Sequence, residues 1–154
     1  MRALVTRVNG ASVAVAGENV GAISGPGLLV LVGITHTDGP REAAALARKV
    51  YNLRIFAADS LPVCQLPSGT REVSAADARL PVLVISQFTL YGSTRRGRRP
   101  TWDAAAPRSV AEPLVGMVAA EFHALGAEVA TGVFGADMQV SSVNDGPMTL
   151  LVEV

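Results

Sequence analysis

The feature that most constrains this chain is Leu28-Leu29-Val30-Leu31-Val32-Gly33-Ile34, a continuous apolar run set between Gly25-Pro26-Gly27 and Thr35. A short run of this kind reads as a strand buried on both faces, because a half-exposed strand would alternate. Val82-Leu83-Val84-Ile85 is a second such run, and it continues into Ser86-Gln87-Phe88-Thr89-Leu90. Two doubly covered strands demand layers above and below them, so the chain must also supply helices or further sheet.

The remaining segments fit that demand. Ala3 to Val8 and Ala11 to Ala16 are β-branched runs split by Asn9-Gly10, a strong hairpin signal. Gly17-Glu18-Asn19 makes another turn before Val20 to Ile23, and Gly25-Pro26-Gly27 breaks the chain again. Asp38-Gly39-Pro40 starts a helix with proline early in its first turn. Ala43, Leu46, Ala47 and Val50 give it one apolar stripe, and it ends near Leu53 before the extended Arg54-Ile55-Phe56. Residues 57–81 carry Pro62, Pro67, Gly69 and Pro81 and read as a loop holding at most one short strand.

A second helix begins around Pro107 to Ser109, where Ser109 and Glu112 have capping-box spacing. Val110, Leu114, Val118 and Leu125 supply its apolar face, and Gly126 is its stop. Strands close the chain at Glu128 to Phe134, Met138 to Val143 and Met148 to Val154. The expected architecture is one α+β domain over residues 1–154, with layered, mostly antiparallel β-sheets and two main helices. Hydrophobic residues make up 49% of the 154, enough for a real core and for part of the surface to be covered by a second copy.

The same sequence excludes much. No window holds the ~18 apolar residues of a membrane span. The opening Met1-Arg2-Ala3-Leu4-Val5-Thr6-Arg7 lacks the roughly 7–15-residue apolar stretch of a secretory signal, so a cytoplasmic location is expected. Cys64 is the only cysteine, which rules out an intramolecular disulfide and a thiolate zinc cluster. His36 and His123 are the only histidines, and both read as ordinary strand-end or helix residues. There is no His-Glu-x-x-His, no Gly-x-Ser-x-Gly, no Walker loop and no dinucleotide glycine pattern. A side-chain triad, a catalytic metal or a cofactor is therefore not expected; chemistry here must use backbone dipoles, hydroxyls or the substrate itself.

Net charge is zero, with 13 basic and 13 acidic residues, but the distribution is uneven. Arg95, Arg96, Arg98 and Arg99 surround Gly97, and no acid lies between Asp77 and Asp103. By default such a run is a solvated loop. Polar residues also sit where a simple fold does not need them, in Ser86-Gln87-Phe88-Thr89 and in Asn144-Asp145-Gly146-Pro147-Met148-Thr149.

Taken with Gly97-Arg98-Arg99-Pro100 and Phe134-Gly135-Ala136-Asp137-Met138-Gln139-Val140, these segments closely resemble the D-aminoacyl-tRNA deacylase family. Arg2 to Val8, Ala11-Ser12-Val13, Gly25-Pro26-Gly27-Leu28-Leu29-Val30 and Leu53-Arg54-Ile55-Phe56 match it in order and spacing. The resemblance covers most of the chain except residues 57–81. It implies hydrolysis of the ester of D-aminoacyl-tRNA, extending to glycyl-tRNA, by a homodimer with its site at the subunit interface.

The resemblance further implies a cis bond at Gly146-Pro147, against the ordinary trans preference. From one subunit this element would face the other's pocket, rejecting an L-side chain by collision. Asn144, Thr149, Phe134 and Met138 fall in the same substrate-binding set. Ser86, Gln87, Phe88 and Thr89 match the catalytic half, with backbone N–H groups as oxyanion donors. Thr89 has no adjoining base, so positioning of substrate or water outweighs covalent attack by its hydroxyl, and the sequence leaves open whether Thr89 or the tRNA 2′-hydroxyl assists attack. Phe88 would stack on the terminal adenine. Arg7 is either a surface residue or a brace behind Gly146-Pro147. The four arginines would contact tRNA phosphates. Three other readings stand beside this one: a non-catalytic RNA-binding module that uses the arginine loop, a relaxed-chirality deacylase with a trans Gly-Pro bond, and a purely structural homodimer, which would leave Gly146-Pro147 without a reason to face the partner.

Overall fold

The computed structural model describes residues 1–61, 71–95 and 97–154. Arg96, Cys64 and the prolines at 62 and 67 lie outside the described residues. The chain runs β1 (Arg2–Val15), β2 (Glu18–Gly33), α1 (Pro40–Tyr51), β3 (Arg54–Ala57), β4 (Glu72–Ser74), β5 (Val82–Ser86), α2 (Arg108–Ala124), β6 (Val129–Thr131) and β7 (Met138–Glu153). A mixed α+β fold results. One sheet has the order β6-β5-β2-β1-β7, and β3 pairs with β4 in a second. β1 is antiparallel to both β2 and β7, as β3 is to β4, while β2-β5 and β5-β6 are parallel.

The two apolar runs of the sequence are the centre of this sheet. Leu28 to Val32 pair with Val82 to Ser86. Val30, Val32, Val82 and Val84 face a core that contains Leu46, Ala47 and Val50 of α1 and Leu114, Val118 and Phe122 of α2. Leu29, Leu83 and Ile85 face a smaller cluster with Val8, Val13 and Ile23 on the other side. That second cluster is enclosed because the β1–β2 hairpin curls over it. Gly21 comes so close to Thr131 that a Cβ there would lie 2.4 Å from its carbonyl oxygen.

The curl explains where the sequence reading needs correction. Asn9-Gly10 is not a hairpin: β1 runs through it, paired on both flanks. Gly10, at φ +95°, is an irregularity where the strand bends, and the register against both neighbours slips between Asn9 and Ala11 or between Val8 and Ala11. Gly25-Pro26-Gly27 likewise stays within β2, with Pro26 opposite Asn9. The hairpin turn is instead at Ala16-Gly17, both at positive φ. The two expected terminal strands are one, β7, with Asn144 to Pro147 inside it.

Helix α1 starts and ends close to the sequence expectation, with Glu42 Oε2 accepting from Gly39 N–H at 2.9 Å. Helix α2 begins two residues earlier than a Ser109 cap would require, with Pro107 at the N-cap. Glu112 is drawn into a bidentate pair with Arg108 (2.9 and 3.2 Å) and does not close a capping box. Its buried stripe is Ala111, Leu114, Val118 and Phe122; Leu125 is the exposed C-cap residue, followed by Gly126 at φ +93°. Tyr51 of α1 meets Phe122 edge-on at 6.0 Å, locking the two helices together. No helix among the described residues is long and apolar enough to cross a membrane.

Candidate functional site

The site begins where β2 and β5 end side by side. After Ser86 the chain turns sharply, and Gln87 N–H donates to Val32 carbonyl at 2.7 Å, extending the parallel ladder by one bond. A 3₁₀ turn, Phe88–Tyr91, follows and lies directly on Gly33. A Cβ on Gly33 would sit 3.0 Å from Leu90 Cβ and 3.1 Å from Gln87 carbonyl, so only glycine admits this approach without displacement. From the outside Arg2 holds the turn, donating to Leu90 carbonyl at 3.1 Å with its guanidinium 4.6 Å from the Tyr91 ring centroid. Burial, with Asp38 adding and Arg2 opposing, pushes the Tyr91 phenol up to about 12.

This geometry sorts the backbone donors. Gln87 N–H is consumed by Val32, which removes it from the oxyanion set proposed from sequence. Phe88 and Thr89 N–H stand at the start of the turn and have no acceptor among the described residues. Gln87 Nε2 donates to Thr89 Oγ1, so the two side chains the sequence pairs are in contact. Thr89 is exposed and does not line the cleft beside it.

That cleft has a volume of about 270 Å³. Ser86, Gln87 and Phe88 line it together with Phe134, Met138, Val32 and Ile85. No ionisable side chain is among its lining residues. Arg108 caps the outer face of Phe134, 5.6 Å from its centroid. His36 lies elsewhere, its Nε2 2.9 Å from Asp103 carbonyl, and His123 is exposed on α2. Among the described residues, no three His, Cys, Asp or Glu side chains converge as metal ligands would.

A second constellation forms on β7, away from the lining of this cleft. Thr6 pairs with Thr149 and Val8 with Asn144, so Asp145 to Met148 are pushed out of the ladder as a bulge. Asn144 Nδ2 donates to Thr149 Oγ1 at 3.3 Å across its base. Gly146 has no room for a side chain: a Cβ would lie 2.7 Å from Asn144 Oδ1 and 2.9 Å from Met148 N. Arg7 supports the bulge from below. Its Nε donates to Asp145 carbonyl at 2.8 Å and lies 3.0 Å from Asp145 Oδ2, while its Nη1 donates to Ile55 carbonyl. The Arg7 side chain is only 17% exposed, so it is not the plain surface residue that the sequence also allowed.

Within one chain, then, Ser86, Gln87, Phe88, Phe134 and Met138 come together, as do Arg7, Asn144, Gly146 and Thr149, in two separate groups. β7 is the outer strand of its sheet, and Val140, Val143 and Leu151 on it are exposed. Arg95, Arg98 and Arg99 are exposed on a loop closed by reciprocal bonds between Ser93 and Thr101 (2.8 and 3.0 Å). Sequence reasoning missed Trp102, which meets Phe88 edge-on at 5.2 Å; as the lone tryptophan beside the arginine run, it carried a visible signal. It missed Gly33 as well, and named Asp145 only as part of the polar segment 144–149, without its contact to Arg7.

The family model for D-Tyr-tRNA(Tyr) deacylase matches residues 4–153. The D-aminoacyl-tRNA deacylase of Thermobifida fusca is 58% identical, and that of Streptomyces coelicolor 59%, each alignment covering all of both chains. Among solved structures, one named c-Myc DNA Unwinding Element Binding Protein is 36% identical with a TM-score of 0.87, over all of this chain and 99% of its own. A probable eukaryotic D-amino acid tRNA deacylase is 14% identical with a TM-score of 0.82, covering 99% of this chain and 98% of its own, and shares the fold. The chain belongs to the D-Tyr-tRNA(Tyr) deacylase family.

Proposed function

We propose that this protein is a cytosolic D-aminoacyl-tRNA deacylase whose cleft works without an ionisable side chain. The observation that carries the reading is the pairing of a cleft lined by no ionisable side chain with the N–H groups of Phe88, which lines it, and of its neighbour Thr89, both without an acceptor among the described residues. As water attacks the ester carbonyl, its oxygen gains negative charge, and these donors stabilise it. Loss of one such donor typically costs ~2.7–4 kcal/mol. The C–O bond to the terminal ribose then breaks, and the ribose oxygen leaves as a hydroxyl. The vicinal 2′-hydroxyl of the tRNA assists the proton movement that no side chain in the cleft is placed to perform. Gln87 and Thr89 orient the water or the substrate amine, Phe88 stacks on the terminal adenine, and Arg95, Arg96, Arg98 and Arg99 take backbone phosphates.

The second constellation acts across a homodimer. An exposed edge strand as long as β7 is a natural pairing surface, and a two-fold interface presents each bulge to the other subunit. The Gly146-Pro147 element, in the cis form the family resemblance implies, would stand over the partner's cleft as a wall. An L-side chain collides with such a wall, a D-side chain points away, and glycine has nothing to collide, which extends the activity to glycyl-tRNA. Arg7, Asn144 and Thr149 hold the wall at a fixed height.

Turnover separates this reading from simple RNA binding. Purified protein at substoichiometric concentration should empty D-Tyr-tRNA over many cycles. Retention of the D-aminoacyl ester, with the tRNA bound and protected, would overturn the proposal in favour of a binding module.

A further inference from the structure

We infer that Trp102 is a positioning residue that fixes Phe88 at the mouth of the cleft and ties it to the arginine loop. The inference deepens the deacylase reading and rests on Phe88 contacting the terminal nucleotide. Phe88 is 56% exposed, so the body of the protein does little to hold its ring. The one aromatic contact it has among the described residues is Trp102, at 5.2 Å between centroids and 74° between planes. That edge-to-face geometry is the favoured one for aromatic pairs and fixes the direction of the ring as well as its place.

Trp102 is itself anchored. Its six-membered ring rests on the bare Cα of Gly92, where a Cβ would lie 2.5 Å from Cζ3. Thr101 immediately before it closes the arginine loop through its two bonds to Ser93. On the far side Asp103 and Ala104 carbonyls lie 2.9 Å from His36 Nε2 and 2.6 Å from Thr35 Oγ1 respectively. The tryptophan therefore sits at the base of the loop that carries Arg95, Arg98 and Arg99 and touches the residue at the cleft. An anionic backbone that draws the loop toward it bears on Phe88 through this ring.

The test is a double-mutant cycle on D-Tyr-tRNA deacylation with Phe88→Ala, Trp102→Ala and the pair. Trp102→Ala should raise KM about 3- to 10-fold, the worth of one aromatic pair, with a smaller change in kcat. Trp102→Phe should recover most of the loss. In the Phe88→Ala background, Trp102→Ala should add nothing, because the residue acts through Phe88. Trp102 is the only tryptophan, so its emission is a second readout. Adenosine carrying D-tyrosine in 3′-amide linkage should shift it in the wild type, and much less in Phe88→Ala. Additive losses in the double variant, or an unchanged KM in Trp102→Ala when Phe88→Ala is impaired, overturn the inference. A fully active Phe88→Ala would instead remove the reading of Phe88 on which it rests.

Discussion

Replacing Arg7 with methionine keeps the aliphatic stem and deletes the guanidinium that joins β1, β3 and the bulge of β7. Three interactions go at once: Nε to Asp145 carbonyl at 2.8 Å, Nε to Asp145 Oδ2 at 3.0 Å, and Nη1 to Ile55 carbonyl. They are not equal. The Asp145 side chain is 51% exposed, so the ion pair contributes at most ~1 kcal/mol. Of the two carbonyl bonds to the charged donor, the one to Ile55 is part-buried and the one to Asp145 is exposed; the sheltered one contributes ~1.5–3 kcal/mol and the exposed one less, and they are not additive on a shared group. A total near 2–3 kcal/mol follows, or a fall in Tm of about 5–10 °C for a chain of this size. If the bulge must be rigid to act as a wall, kcat/KM for D-Tyr-tRNA drops by up to about 100-fold. Lysine should rescue little, since one ammonium cannot serve carbonyls on two different strands. Asp145→Asn, which keeps the carbonyl, should lie within ~1 kcal/mol of wild type. Thermal unfolding beside single-turnover deacylation reads both effects. An Arg7→Met protein with unchanged Tm and activity, or an Asp145→Asn protein as damaged as Arg7→Met, would refute the ranking.

Gly33→Ala should dislodge the Phe88–Tyr91 turn, because its Cβ meets Leu90 and Gln87 carbonyl at 3.0 and 3.1 Å; deacylation should fall more than Tm does. Arg98→Ala with Arg99→Ala should weaken tRNA binding alike for all tRNAs and flatten its salt dependence by about 0.7–0.9 log units per lost phosphate contact, read by titration from low to high salt. Tyr91 fixes a pH window. Below pH 10 the phenol is protonated both folded and unfolded, so it contributes no pH dependence; between about 10 and about 12 only the unfolded chain ionises. The unfolded state then binds fewer protons, so stability falls across that window, and Tyr91→Phe should lessen the fall in melts from pH 9 upward.

Local pattern was enough for α1, β5 and the C-terminal stop of α2, since each is specified by its own stripe, apolar run or glycine. It failed at Gly10 and at Asp145 to Met148 for a common reason. Each looks like a turn, yet both strands are held in register by partners far along the chain, and β1 is paired on both edges. Long-range pairing converts the turn chemistry into a bend and a bulge. The Ser86-Gln87-Phe88-Thr89 half of the site was readable as a motif. The division of its N–H groups was not, because it depends on Val32 from another strand. The contact of Trp102 with Phe88 was not legible for the same reason, being set by how the arginine loop closes at Ser93 and Thr101, although the lone tryptophan beside the arginines was itself in view.

Chiral discrimination tests the central claim most directly: the rates of hydrolysis of D-Tyr-tRNA and L-Tyr-tRNA, on the same tRNA, by the wild type and by Gly146→Ala. An alanine Cβ would press on Asn144 Oδ1 at 2.7 Å and on Met148 N at 2.9 Å, so the bulge must shift. The account expects the wild type to clear the D-ester and spare the L-ester, and Gly146→Ala to lose much of that ratio while staying folded. Equal clearance of both esters by the wild type, or an unchanged ratio in a folded Gly146→Ala, would contradict it.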